Sequence, residues 1–595
     1  MISKIAAVVF FFSVAVVGQQ PDSLDPICNK DFALTLVDQQ VSSSSSLRDA
    51  SKRARILMRS ADFIWPYDEP RAREYFTAAM KTATEDFREK AEQEKKVTAG
   101  FFQTAPDLRF DVIRAVAKRD SEWSRRLIND LMEEFEKAAR DRNESNQSRE
   151  ISLMLDIAYE NIKRDSDLSW YLYRRAMRYP VGFHWYVALY RAAGSDSSLV
   201  AALYRELLQV YRNEPPSRML LFSAFPFVNE RIFGVDKYSY GTTIPAGVEP
   251  DHQLQQLFLT TFLSRASGFT REQIISAPSR GVYQQSETVY MVAALNELEP
   301  VVIEQHPALL PMFSLAKANA LSLVDDDARR GLEQSEERMA NFAMTFDERL
   351  QKLEEADELG TIKDVMIVMV AATNIRQDDQ FRRLEPWLAK IKDAKAQAQT
   401  FSHFWFQRSS LAIEQRRLRD SEDHAAKVPE SEFRALLVFK LAEAQLKDTD
   451  DRIAVMQTLN SVRQIVEKME DSPTKVRLTL GLASKYAEVS RESAVSELSE
   501  AVRIANRLKD PDLFTSSINR AITGDGFGHY VVYSLPGHDL EGTFRELSKD
   551  DHDLPLSNAR SLIDEFLRTV AVIAVATNCI DKGPPVSDPD TKDFN

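Results

Sequence analysis

The chain predicts an all-α fold of helical hairpins stacked as a solenoid, and three observations carry that prediction. Glycine is scarce, at 18 of 595 residues, about 3% against a typical value near 7%. Apolar residues recur with helical spacing almost everywhere, and small residues recur at matched positions on successive helices. Glycine supplies the positive φ that hairpin turns and phosphate loops need. Its shortage disfavours dinucleotide-binding, β-sandwich and propeller folds, whereas the good helix formers Ala, Leu, Glu, Arg, Lys and Gln are abundant. The length allows roughly four domains or one long array, and is ample for a large core.

The chain begins with an address. Met1 to Gly18 reads MISKIAAVVFFFSVAVVG. One Lys precedes an apolar run from Ile5 to Val17, and small residues follow, which is the layout of a secretory signal peptide. The run is short for a membrane span. Residues 1–18 are therefore expected to be removed, leaving an exported chain, periplasmic or extracellular, with no stable membrane span. An uncleaved anchor is the alternative. In an oxidising compartment the two cysteines, Cys28 and Cys579, can pair. Pairing requires Cα atoms within about 7 Å, and an open solenoid keeps its ends apart, so two buried or unpaired thiols are the other possibility.

Residues 19–212 and 286–523 read as helical repeats. Ala72, Tyr75, Phe76, Ala79, Met80, Ala83 and Phe87 keep to one helix face. Trp123, Leu127, Ile128, Leu131, Met132 and Phe135 do the same, as do Ala494, Leu498, Ala501 and Ala505. A small residue is followed 11, 15 and 18 positions later by residues on the next helix: Ala61 by Ala72, Phe76 and Ala79; Ala158 by Ser169, Tyr173 and Ala176; Ala483 by Ala494, Leu498 and Ala501. Small residues let two antiparallel helices approach, and the larger side chain fills the groove beside them. Asp or Ser in the polar connection caps the second helix. One hairpin cannot cover both of its faces, so hairpins stack.

This pattern resembles the tetratricopeptide repeat in a degenerate form. Ala72, Phe76 and Ala79, then Ser169, Tyr173 and Ala176, then Ala494, Leu498 and Ala501 match that family's second-helix signature. Ala stands in place of its first-helix glycine, the offset is one residue shorter, and the period wanders from about 34 residues. The resemblance covers residues 47–90, 106–212 and 433–510. It implies a superhelical scaffold and says nothing of catalysis.

Loop-rich interruptions are expected near 213–251 and 524–553. The first opens a segment, 213–285, with short helices, and holds Pro215, Pro216, Pro226, Gly234, Gly241, Pro245, Gly247 and Pro250. The second opens a Gly/His loop and capping helix over 524–580. His529 to Leu535 is the best strand candidate in the chain, Ile518 to Ile522 are expected to end a helix, and the apolar Thr569 to Thr577 to lie in a buried helix end. Residues 581–595 are rich in Pro and Asp and expected to be disordered.

No chemistry emerges from the motifs. The net charge of −14 has the wrong sign for nucleic acid, and Arg416-Arg417-Leu418-Arg419 reads as a solvated helix face. Gly524-Asp525-Gly526-Phe527-Gly528 lacks the Gly-Lys-Ser/Thr ending of a phosphate loop and is expected to be a turn. His529, His538 and His552, with Asp525, Asp539, Asp551 and Asp553, are zinc-type donors, but their spacing matches no metal motif; solvated loop histidines are expected. Neither His-Glu-x-x-His nor Gly-x-Ser-x-Gly occurs. No catalytic residue, cofactor or metal is therefore predicted. The stretch 170–190 is dense in aromatics. Most of these rings are expected in the core, with Trp170, Tyr171, Trp185 and Tyr186 the candidates for a partner surface. The functional expectation is an exported, non-enzymatic scaffold for a protein or peptide partner. The alternative is a glycan-active enzyme or glycan-binding protein on an α/α helical scaffold.

Overall fold

The computed structural model describes residues 28–94, 107–142, 148–234, 244–276, 286–326, 328–333, 344–355, 361–373, 375–448, 452–513, 517–524, 527–534 and 539–581. The expected signal peptide, Gly241, Asp525, Gly526, His538 and the tail after Asp581 lie outside these residues. The chain is an all-α helical-repeat fold that divides into two compact units. The larger is Ser46–Met469 with Ser516–Leu535; the smaller gathers Met1–Ser45, Glu470–Thr515 and Pro536–Asn595.

In the larger unit, the Ala50–Ile64 and Glu69–Glu94 helices form a hairpin. The Asp49 carboxylate caps the first by accepting from the Lys52 N–H at 3.0 Å. Ala61, Ala72, Phe76 and Ala79 are all fully buried. The Ser148–Asn161 and Ser166–Ala176 helices repeat the arrangement. Here the small residues meet directly, because Ser169 Oγ donates to the Ala158 carbonyl at 2.8 Å. A larger side chain at either position would hold the helices apart. Asp165 caps the second helix through the Leu168 N–H at 2.8 Å.

Segment 213–285 contains the expected short pieces, Pro216–Met219, Leu220–Phe222 and Ala224–Phe227. It also holds a 16-residue helix, His252–Ser267, capped by Asp251. Gly234 has φ +72°, and a Cβ there would stand 2.7 Å from the Ala294 backbone nitrogen on the Glu287–Gln305 helix. Glycine satisfies both the left-handed backbone and the close approach.

The sheet among the described residues is a two-stranded antiparallel hairpin, β1 (Ser517–Gly524) and β2 (Phe527–Ser534). The strand candidate at His529 falls in β2. Ile518 to Ile522 do not end a helix, as expected from sequence, but form β1. Ile518, Arg520 and Ile522 are buried while Asn519 is exposed, so the period is two and a helix cannot satisfy it. The hairpin packs on the Ala394–Glu414 helix, with Thr523 N–H donating to Gln399 Oε1 at 2.9 Å. The Arg416-Arg417 pair is not a helix face. Arg416 has φ 61° and the two residues sit in the turn before the Leu418–Ala425 helix, where Arg417 bridges Asp378 and Asp420.

The smaller unit contains the third hairpin, Pro473–Ala487 and Arg491–Ala505, with Ala483, Ala494, Leu498 and Ala501 buried. The Lys30–Ser44 helix packs on Glu565–Asp581 through buried Ala33, Leu36 and Val37. Cys28 and Cys579 are joined in a disulfide with Cα atoms 4.7 Å apart across a separation of 551 residues. The apolar stretch from Val570 to Ala576 is buried. Among the described residues no helix is long and apolar enough to cross a membrane.

Candidate functional site

Two helices of the larger unit face each other across a cavity of about 320 Å³. Ser148–Asn161 contributes Ser152, Leu155, Asp156 and Tyr159. His184–Ala193 contributes His184, Val187, Ala188 and Arg191, preceded by Phe183. Each set steps by three, one and three positions, which is one stripe along a helix. Leu155, Val187 and Ala188 make apolar wall, and the rings of Tyr159 and Phe183 flank it. This volume is at the lower end of the roughly 300–1,000 Å³ of small-molecule sites. It suits one side chain or a small ligand.

The polar groups are unequal. The Arg191 guanidinium donates to the Asp156 carboxylate and lies 4.5 Å over the Tyr159 ring. Both members of the pair reach solvent, with side chains 40% and 29% exposed. His184 differs: both ring nitrogens are buried and neither has a hydrogen-bond partner. Burial pushes its pKa down to about 4, so the imidazole is neutral at pH 7 and carries one donor and one acceptor. Leaving such groups unpaired costs on the order of 1–3 kcal/mol each. The ring lies against Gly182, where a Cβ would come within 2.7 Å of Cε1. No hydroxyl or carboxylate is hydrogen-bonded to His184 to make a nucleophile–base pair.

A second polar cluster lies under the hairpin, where sequence reading placed only a strand. His403 is 4% exposed and hydrogen-bonds to Gln407 Nε2 at 2.7 Å and, on its other nitrogen, to Tyr533 Oη at 3.3 Å. Arg520 is 3% exposed, stacked 3.8 Å over the Phe433 ring. None of its three nitrogens has a hydrogen-bond partner; the Glu430 carboxylate, which accepts from Ser402 Oγ, stands 3.8 Å away. Burial, then the charges of Arg520 and His529, push the His403 pKa down to about 3.

A pH dependence follows from His403. The unfolded chain takes up a proton below about pH 6.5, and the folded His403 does not until about 3. Its contribution to stability is therefore full above 6.5 and is lost as pH falls toward 3. Each pH unit in that window costs about 1.4 kcal/mol, or about 2 kcal/mol at pH 5, with a smaller addition from the partly exposed His184. We expect the urea midpoint of the larger unit to fall between about pH 7.5 and pH 5, with His403→Gln removing more than half of the fall. Equal midpoints at the two pH values would contradict this.

The four aromatic candidates for a partner surface separate. Trp185 and Tyr186 are fully buried, which corrects the expectation for both. The His184–Ala193 helix is covered on most of its circumference, so two adjacent rings 100° apart are each enclosed. Trp170 and Tyr171 are half-buried. Arg174 lies 5.1 Å over Trp170, and Tyr171 donates to Asn129 Oδ1 at 2.5 Å. Neither lines the cavity. The described histidines named from sequence fall in different units. His529, in the larger unit, faces His403 with ring centres 6.3 Å apart. His552, in the smaller, pairs with Asp553 at 3.1 Å. Among the described residues no group of three His, Cys, Asp or Glu side chains is placed to hold a metal ion. His184 was missed because it belongs to no spaced motif; the signal that finds it is the helical stripe 184, 187, 188, 191 facing 152, 155, 156, 159.

No protein-family model matches the chain, and no match is found among curated proteins.

Proposed function

We propose that this chain is an exported, non-enzymatic helical-repeat scaffold, of the tetratricopeptide type in degenerate form, that binds a protein or peptide partner. The observation that carries this reading is the cavity between Ser148–Asn161 and His184–Ala193, with apolar walls, flanking rings and a paired Arg191–Asp156 at solvent. Peptide partners of helical scaffolds are anchored by side chains seated in such pockets. Export is supported by the Met1–Gly18 pattern and by the Cys28–Cys579 bond, which is a feature of oxidising compartments. Trp185 and Tyr186, two of the four rings offered as a partner surface, are enclosed, so the cavity and not those rings supports the reading.

The test is selection of displayed random peptides on the mature, oxidised protein. We expect enriched sequences to share one anchor residue and to bind Ala188→Trp, which fills the cavity, at least about ten-fold more weakly. Circular dichroism checks that the variant is folded. No enrichment, or peptides that ignore a filled cavity, would contradict the reading.

A further inference from the structure

Resting on that reading, we infer that the anchor is a tyrosine side chain within a peptide, with its phenol meeting His184. The apolar walls and the rings of Phe183 and Tyr159 suit an aromatic ring, because offset and edge-to-face ring contacts add to area burial. At about 320 Å³ the space takes one such ring. The imidazole of His184 borders it with no hydrogen bond holding the ring. Rotation about its last torsion is broad and shallow, so a modest turn suffices to meet a ligand. A phenolic hydroxyl both donates and accepts, as neutral imidazole does. It therefore complements either nitrogen in either tautomer. A phenylalanine would leave both nitrogens unpaired.

The charges decide between a tyrosine in a chain and the free amino acid. Arg191 and Asp156 already neutralise each other, and Arg114 stands 4.0 Å from the same carboxylate. A free amino acid brings an ammonium and a carboxylate that would have to break this pairing. A tyrosine flanked by amide bonds brings neither. Gly182 adds a handle, since a methyl group there presses on the imidazole edge without entering the cavity wall.

The experiment is ligand-observed NMR on the mature, oxidised protein with three probes: N-acetyl-L-tyrosinamide, N-acetyl-L-phenylalaninamide and free L-tyrosine. The expected result is that the blocked tyrosine binds about ten-fold more tightly than the blocked phenylalanine and more tightly than free tyrosine. His184→Leu should erase the preference for tyrosine over phenylalanine, and Gly182→Ala should reduce it. Equal binding of the two blocked probes to the wild-type protein would overturn the inference, and this comparison needs no variant to fold. Tighter binding of free tyrosine would overturn the choice of a peptide. If selected peptides bind but blocked tyrosine does not compete with them, the tyrosine anchor falls and the scaffold reading stands. If no peptide is selected while blocked tyrosine binds, the scaffold reading falls and the specificity of the cavity stands.

Discussion

Breaking the Cys28–Cys579 bond, by Cys579→Ser or by reduction, lowers the stability of the smaller unit by about 2–5 kcal/mol. That unit is assembled from three stretches of chain, and the bond joins residues 551 positions apart. Without it, the Lys30–Ser44 helix must find Glu565–Asp581 by non-covalent contacts alone. Those contacts include Ala33, Leu36 and Val37, the buried apolar groups of the first helix, and Thr569 Oγ1 donating to Gln40 Oε1 at 3.4 Å. A helix of 15 residues is marginal on its own in water, so it depends on being held. The check is amide hydrogen exchange with and without reductant. Protection should fall first in 30–44 and 565–581, while the larger unit, which contains neither cysteine, keeps its protection. Unchanged protection in 30–44 after reduction would show that packing alone holds the helix.

The second large effect is expected at Trp185. It is fully buried and its ring packs on Tyr173 with centres 6.2 Å apart. Tyr173 is the residue at the packing position of the Ser166–Ala176 helix, so the two rings tie adjacent helical pairs. Trp185→Ala should cost about 3–5 kcal/mol through lost burial and the cavity left behind. The comparison with Trp170→Ala separates core from surface. Trp170 is half-buried under Arg174, and its removal should cost roughly 1 kcal/mol. Urea unfolding followed by circular dichroism measures both. Similar losses at the two positions would contradict the assignment of Trp185 to the core.

The parts of this fold that were legible in the sequence are those fixed by local spacing. The steps from Ala61, Ala158 and Ala483 to the next helix each end on buried residues, because close approach of two helices demands small side chains at set positions. The Asp165 and Ser490 caps of second helices were legible for the same reason: the cap acts within one turn. What was not legible depends on partners distant in the chain. Ile518 to Ile522 gave too short a pattern to separate a helix end from a strand, and the docking of β1 on Ala394–Glu414 decides it. Trp185 and Tyr186 looked like surface candidates because neighbouring positions on a helix diverge; enclosure of both needs neighbours on several sides. The cavity needs Asp156 and His184 from different helical pairs. The Cys28–Cys579 pairing needs the first and last described helices to meet, and no local spacing encodes that.

The proposed partner is a peptide anchored between Ser148–Asn161 and His184–Ala193. Hydrogen exchange of the oxidised protein with and without a selected peptide measures this most directly. Added protection is expected in residues 148–161 and 182–193, with little change elsewhere in the larger unit. Protection that appears only in other segments, with these two helices unchanged, would contradict it.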